Sequence, residues 1–160
     1  TRLIYRLGAE TGILGDAAFR RLKLGATLLL TSPGVPMLWM GEEFGQANDR
    51  GESGDSRPLN WALLDSPPNR GLMEHYKFLI WLRRNNSALR SDTFAVVDDQ
   101  PERGILAYKR WDDQGSIYIV VANLKDEDAG GYEVEVEGVE DDTWQELITN
   151  KTITVQGGRL

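Results

Sequence analysis

The sequence predicts a mixed fold, in which a helix–strand–helix segment is followed by an antiparallel β-sandwich domain. In the first half, two helical patterns enclose a short apolar run. In the second half, only short β-rich segments occur, separated by acidic or glycine-containing turns. The pattern changes near residues 88–93, so we predict one domain at residues 1–90 and a second at residues 91–160.

The first predicted helix covers residues 16–32. Asp16 is placed to cap its first turn. Proline lacks a backbone N–H and glycine permits a sharp turn, so Ser32-Pro33-Gly34 should end the helix. Apolar side chains recur at helical spacing at Phe19, Leu22, Ala26 and Leu29.

A short apolar run at residues 35–40 follows this helix. It contains no polar side chain, which is typical of a strand covered on both faces, as in a parallel sheet. Residues 42–68 are rich in Gly, Asp, Asn, Ser and Pro, and this composition predicts a long loop of the kind that often carries function. A second helix is predicted at residues 67–86, with apolar positions at Leu72, Tyr76, Leu79 and Ile80.

The second half contains six predicted strands. Residues 112–115, with the sequence Asp-Asp-Gln-Gly, provide a hairpin connection between the second and third of them. The glutamates at positions 133, 135 and 137 alternate with Val134 and Val136, which predicts a solvated face. The predicted strands cover residues 94–97, 105–111, 116–124, 132–136, 143–149 and 152–155.

Composition excludes several classes of function. The net charge of −7 would repel a phosphate-rich partner, so nucleic acid is not an expected ligand. The chain has no cysteine, which rules out disulfides and thiolate metal sites and suits a cytoplasmic protein. The apolar runs at 24–30 and 35–40 are too short to cross a bilayer. The chain begins at Thr1 without a signal-peptide pattern, and we expect it to be a fragment.

A contiguous motif links the first helix to the loop. It consists of the turn Pro33-Gly34-Val35-Pro36, an apolar run and Gly41-Glu42-Glu43-Phe44-Gly45, and it resembles the last barrel strand of the alpha-amylase superfamily. The stretch from Leu59 to Asp65, Gly71-Leu72 and the helix ending at Ser87-Ala88-Leu89 resemble the corresponding region of glycogen branching enzymes. These enzymes also carry a C-terminal β-sandwich.

The resemblance implies a retaining enzyme that acts on α-1,4-linked glucans, in which one carboxylate attacks the anomeric carbon and another serves as acid and base. In the family, the three catalytic carboxylates belong to barrel strands upstream of this chain. We therefore expect no catalytic residue here and no activity of the isolated chain. Branching and hydrolysis remain alternatives for the parent enzyme, and no cofactor is expected.

The candidate glucan-binding residues lie at the end of the predicted strand and in the loop. Adjacent carboxylates tend to point apart, whereas retaining glycosidases need a pair roughly 5 to 5.5 Å apart. We therefore favour a structural role for Glu42 and Glu43, accepting backbone or arginine hydrogen bonds at the rim of the cleft. The loop has oxygen ligands but lacks the spacing of a calcium-binding loop, so no metal site is predicted. The remaining candidates are Asn48, Asp49, Arg50 and Trp61.

The other distinctive side chains favour structural roles. His75 is the only histidine, lacks a catalytic partner at a recognisable spacing, and is expected to pack between helices or lie at the surface. Trp39 and Trp81 are expected to be packing residues. Aromatic residues of the β domain could form a sugar-binding platform, although strands favour aromatic residues regardless of a ligand; these are Tyr108, Trp111, Tyr118, Tyr132 and Trp144.

A fragment of a barrel would leave apolar surface uncovered. Each large apolar side chain left in water costs about 1.5 to 3 kcal/mol. We therefore expect the N-terminal half to pack against the β domain, to self-associate or to be poorly ordered.

Overall fold

The computed structural model describes residues 2–4, 6–7, 15–47, 58–140 and 142–160. The chain divides into two compact units, Thr1–Asn86 and Ser87–Leu160. No helix in these described ranges is both long enough and apolar enough to span a membrane.

The two predicted helices are present in the described part of the first unit as α1 (Asp16–Thr31) and α2 (Pro67–Asn85), close to their predicted bounds. Gly15, not Asp16, is the N-cap of α1 and makes no side-chain capping bond, so the predicted cap is wrong by one position. Two prolines open α2, where the absent N–H costs no helical hydrogen bond. Two short 3₁₀ helices, Glu42–Phe44 and Trp61–Asp65, lie between α1 and α2.

The apolar faces of α1 and α2 pack on each other and form the core of this unit. Most predicted positions are buried, namely Leu22, Ala26, Leu72, Tyr76 and Leu79. Leu29 and Ile80 are exposed, and Leu30 is buried in place of Leu29. The cluster consists of Ile4, Leu22, Ala26, Leu30, Leu72, Tyr76 and Leu79.

The C-terminal end of α1 is held by the buried Arg83 of α2. Its guanidinium donates to the carbonyl oxygens of Leu30 at 2.8 Å, Ser32 at 2.8 Å and Gly34 at 2.6 Å. The last carbonyls of a helix have no intrahelical partner and carry a partial negative charge. Arg83 therefore satisfies these groups and joins the two helices.

The strand predicted at residues 35–40 is absent, and this expectation was wrong. The segment forms neither helix nor strand, and Val35 is 97% exposed and Met37 80% exposed. Leu38 alone of this run packs against the core. A barrel strand is held by hydrogen bonds to strands on both sides, and the described part of this unit contains no strand to pair with it.

The second unit contains a three-stranded antiparallel sheet in the order β1–β2–β3. Its strands are β1 (Ala95–Gln100), β2 (Ile105–Trp111) and β3 (Ile117–Asn123). The predicted hairpin joins β2 to β3, with Gly115 at φ +86°, a conformation that favours glycine. Strand β1 contains a bulge between Val96 and Asp98.

The C-terminal residues of this unit form a two-stranded hairpin and an irregular closing segment. Strands β4 (Thr143–Glu146) and β5 (Lys151–Thr154) pair antiparallel. Residues 132–136, predicted as a strand, form no regular strand, although Glu135 makes an isolated bridge to Arg159 and Val134 exchanges backbone hydrogen bonds with Leu160. The predicted alternation is nevertheless confirmed, since Val134 and Val136 are buried while the intervening glutamates are exposed. Two antiparallel sheets are therefore present.

Arg110 on the central strand β2 is fully buried. Its guanidinium donates to the carbonyl oxygens of Thr93 at 2.7 Å and Ser91 at 2.5 Å. A buried charge is tolerated when its donors are satisfied. Arg110 thus fixes the segment that leads into β1.

Candidate functional site

The Gly-Glu-Glu-Phe-Gly motif folds into a tight turn whose two glycines have left-handed backbone conformations. Gly41 has φ +92° and Gly45 has φ +71°, so a side chain would be strained at either position. A Cβ on Gly41 would also lie 2.8 Å from Cβ of Gln46 and 2.9 Å from Cδ2 of Leu59. Glycine is thus required by both conformation and packing. We call residues 41–46 the glycine turn.

Glu42 and Glu43 lie on the 3₁₀ helix of this turn, and both are partly buried. The Glu43 carboxylate accepts a hydrogen bond from the backbone N–H of Gly41 at 2.7 Å. For Glu43, this contact is the predicted structural role, in which a carboxylate accepts a backbone hydrogen bond.

Tyr76 of α2 lies in the electrostatic field of both glutamates. Burial, reinforced by the negative charges of Glu42 and Glu43, raises the pKa of Tyr76 to about 12. The phenol is therefore neutral at physiological pH and can act only as a hydrogen-bonding group. Sequence reasoning placed Tyr76 on the apolar face and did not predict this proximity, because its partners lie more than thirty positions away.

The buried Gln46 connects the glycine turn to the residues that precede the second 3₁₀ helix. Its backbone N–H donates to Gly41 O at 2.7 Å, and its side-chain Oε1 accepts from Asn60 N at 2.9 Å. Its Nε2 donates to Pro58 O at 3.4 Å. Residues 46 and 58–60 are thus held together. Gln46 was not among the predicted site residues, since a lone glutamine in a polar loop gives no signal.

Trp61 lies on the glycine turn, with its ring stacked on the fully buried Phe44. The two ring centroids are 5.2 Å apart and the planes are inclined by 29°. The side chain of Trp61 is nevertheless 59% exposed, so a large part of the indole meets solvent. The backbone of Phe44 is held by Asn69, whose Nδ2 donates to Phe44 O at 2.8 Å. Trp61 anchors this part of the loop and offers an aromatic surface.

The structure brings three of the predicted site residues together: Glu42, Glu43 and Trp61 all lie on or against the glycine turn. The other three, Asn48, Asp49 and Arg50, lie outside the described residues. Among the described residues, no group of three or more His, Asp or Glu side chains could hold a metal ion.

His75 packs between the two helices. Its Nε2 lies 2.9 Å from Oγ1 of Thr27 and 3.2 Å from the carbonyl oxygen of Lys23. Burial lowers its pKa below the ordinary value of 6.5. This interhelical position was one of the two predicted for His75.

Trp39 and Trp81, predicted to be packing residues, are largely exposed at 48% and 59%. Both belong to the unit in which the predicted barrel strand is absent. A tryptophan in a sequence suggests a buried side chain, but the sequence does not show which part of the protein would pack against it. For these two residues the expectation was wrong.

Three of the five aromatic rings proposed as a sugar platform in the second unit have structural contacts. Tyr108 is buried and packs on Phe94, with centroids 5.3 Å apart. Lys109 lies over the ring of Trp111 at 5.2 Å, and Arg103 over that of Tyr132 at 5.4 Å. These contacts favour packing over sugar binding at these positions.

Comparison with known proteins gives consistent sequence relatives. No family profile matches the chain. The chain is 33% identical over 153 residues to the 1,4-alpha-glucan branching enzyme of Ralstonia nicotianae, which covers 90% of this chain and 19% of that enzyme. It is 29% identical to the branching enzyme of Pseudomonas putida, covering 89% and 19%. The chain thus spans about a fifth of the length of these relatives.

Solved structures share the fold. The type III pullulan hydrolase from Thermococcus kodakarensis matches with a TM-score of 0.63 and 29% identity, covering 88% of this chain and 22% of that one. The enzyme AmyP, solved in complex with maltotriose, matches with a TM-score of 0.68 and 18% identity, covering 91% and 32%. The predicted resemblance is confirmed, and these likenesses fit a C-terminal fragment of a larger enzyme.

Proposed function

We propose that this chain is the C-terminal segment of an α-glucan-active enzyme of the alpha-amylase superfamily, most similar to the 1,4-alpha-glucan branching enzymes. The observation that carries the proposal is the 33% identity over 90% of the chain to one fifth of such an enzyme. Residues 1–90 would then be the end of the catalytic barrel, and residues 91–160 the C-terminal β-sandwich domain. The cytoplasmic location expected from the absence of cysteine is part of the same proposal.

The glycine turn with Trp61 is the part of the chain that we assign to the rim of the glucan cleft. Active sites of (β/α) barrels lie where the strands end, and this turn follows directly on the segment that resembles the last barrel strand. The exposed indole offers an apolar face, and Glu42 offers carboxylate oxygens, which can accept hydrogen bonds from sugar hydroxyls. Asn48, Asp49 and Arg50 are proposed to contribute further hydroxyl contacts.

The chemistry of the parent enzyme is retaining cleavage of an α-1,4 bond. A branching enzyme transfers the glycosyl group to a 6-hydroxyl, whereas a hydrolase transfers it to water. Branching leaves the number of reducing ends unchanged because each broken bond is replaced by a new one. Hydrolysis creates one reducing end for each bond broken.

A chimeric enzyme tests this proposal. In this chimera, residues 1–160 replace the segment of the Ralstonia nicotianae branching enzyme that aligns with this chain. The purified chimera is then incubated with amylose. We expect the iodine colour of amylose to fall while reducing ends stay constant. A rise in reducing ends together with the fall in colour would favour the hydrolase alternative. The similarity to the pullulan hydrolase supports that alternative. A folded chimera with no effect on amylose would contradict the assignment.

An alternative function, which is binding and not catalysis, is that the second unit is a starch- or glycogen-binding module. It requires exposed rings, and Trp144 and Tyr118 are the two proposed aromatic residues that are half-exposed and make no ring contact with another described residue. Retardation of the chain in a starch-containing gel that is lost in Trp144→Ala but kept in Trp61→Ala would favour this module.

A further inference from the structure

We propose that Gln46 is a positioning residue that holds Trp61 in the orientation in which its indole receives a sugar ring. The inference rests on the proposed function, since it takes Trp61 as a glucan contact. It adds a residue that belonged to none of the predicted sites. The ligand class is a neutral α-glucan chain.

The buried side chain of Gln46 joins the glycine turn to residues 58–60. We call Gln46 and these hydrogen bonds the bracket. Gln46 is 1% exposed, and both ends of its side-chain amide are engaged with the backbone of residues 58–60. Its own backbone is tied to Gly41 at 2.7 Å. Because the side chain is buried and its amide is bonded, it has little freedom to move.

The contact from Gln46 reaches Trp61 through one residue. Asn60 is the N-cap of the 3₁₀ helix Trp61–Asp65 and makes no side-chain capping bond there. The bond from Asn60 N to Gln46 Oε1 therefore fixes the start of that helix relative to the glycine turn. Phe44, on which the indole stacks, belongs to the same turn. Gln46 thus fixes the position of the Trp61 indole relative to the Phe44 ring on which it stacks.

A ring held in advance binds a sugar at a lower entropic cost than a mobile one. Ordering one side chain on binding typically weakens affinity about two- to tenfold. Trp61 has 59% of its surface exposed, so stacking on Phe44 alone leaves it room to reorient if Asn60 is released. Loss of the Gln46 amide should therefore weaken glucan binding.

The test follows the indole N–H resonance of Trp61 in the full 160-residue chain, assigned from its loss in Trp61→Ala, together with a titration with maltoheptaose. In Gln46→Met, which keeps the length but removes both amide bonds, we expect the resonance to shift or broaden and maltoheptaose binding to weaken about two- to tenfold. Gln145→Met, at an exposed glutamine of the second unit, is the matched control and should change neither.

Two further variants separate positioning from general stability. Leu79→Val removes a methylene from the core without touching the bracket and should lower Tm while leaving the resonance and the binding unchanged. If Gln46→Met does not fold, Asn60→Pro removes the donated N–H at an exposed residue and should produce the same shift of the Trp61 resonance.

Each result has one meaning. An unchanged Trp61 resonance in a folded Gln46→Met, or the same change in Leu79→Val, would overturn the positioning role. Trp61→Ala binding maltoheptaose as tightly as the parent chain would instead remove the glucan role of Trp61 and with it the ligand part of the inference, while the resonance would still report on the bracket.

Discussion

At the scale of single residues, Arg83 links the two helices of the first unit through its hydrogen bonds to the end of α1. By spacing alone it falls on the inner face of α2, but spacing does not reveal that its charge is directed at the carbonyls where α1 ends. Those carbonyls follow from the Ser-Pro-Gly stop, which ends the helix and leaves them without helical partners. The sequence predicts both features separately, and only the packing of α1 on α2 brings them together.

Replacing Arg83 should destabilise the first unit strongly. Hydrogen bonds from a charged group contribute about 1.5 to 3 kcal/mol each, and the buried carbonyls would lose their donors. We expect Arg83→Met to lower the free energy of unfolding by about 3 kcal/mol, measured by urea denaturation. The exposed Arg20 of α1 serves as control, and Arg20→Met should cost less than about 0.5 kcal/mol. Equal losses in the two variants would contradict the role given to Arg83.

His75 should make the stability of the first unit depend on pH. Burial lowers its pKa in the folded state below 6.5, so the unfolded chain binds the proton more readily. The stabilisation is therefore complete above pH 6.5 and is lost as the pH falls from 6.5 through the folded pKa. The pKa can be read from the single histidine resonance, and His75→Gln should flatten the stability profile in this window. A folded pKa above 6.5 would reverse the expected sign.

At the scale of elements, the sequence predicts most helices and strands because their patterns are local. Both predicted helices and five of the seven predicted strands are present, with ends shifted by a few residues. The failure at residues 35–40 has a different cause: an apolar run indicates burial, but a strand also needs hydrogen-bonding neighbours. For the site, the sequence identified Glu42, Glu43 and Trp61 as separate candidates, and the structure shows that they lie together. Gln46 and Tyr76 could not be predicted, because their contacts join distant segments.

The glycine turn should tolerate no side chain at Gly41. Alanine there would adopt φ +92° and its Cβ would lie within 3 Å of Gln46 and Leu59, so we expect Gly41→Ala to cost about 2 to 4 kcal/mol. Gly25 is the matched control, because it lies inside α1 with nothing within 4 Å of an added Cβ. Gly25→Ala should stabilise the helix by about 0.5 to 1 kcal/mol. Thermal unfolding of both variants measures the difference, and effects of the same sign would contradict it.

At the scale of the whole molecule, residues 35–40 leave several large apolar side chains exposed. Val35, Met37, Trp39 and Met40 are all largely exposed and lie close together in sequence. Contiguous apolar patches of this kind commonly mark an interaction surface. In the proposed parent enzyme, this segment would contact neighbouring strands of the barrel.

The isolated chain should therefore self-associate through residues 35–40. We expect the average mass in sedimentation equilibrium to rise above that of the monomer with increasing protein concentration. Replacing Met37 and Met40 together by lysine should weaken the association at least about tenfold, because burying an unpaired charge is costly. Substituting lysine for the exposed Thr152 and Thr154 of β5 is the control. A chain that stays monomeric at all concentrations would rule out this use of the surface.

The central claim is that this chain carries part of a glucan cleft but not its catalytic carboxylates. It is tested most directly by incubating the purified chain alone with amylose and measuring iodine colour and reducing ends over time. Both should stay at the values of the enzyme-free sample, whatever the protein concentration. A fall in iodine colour proportional to the amount of purified chain would contradict the account.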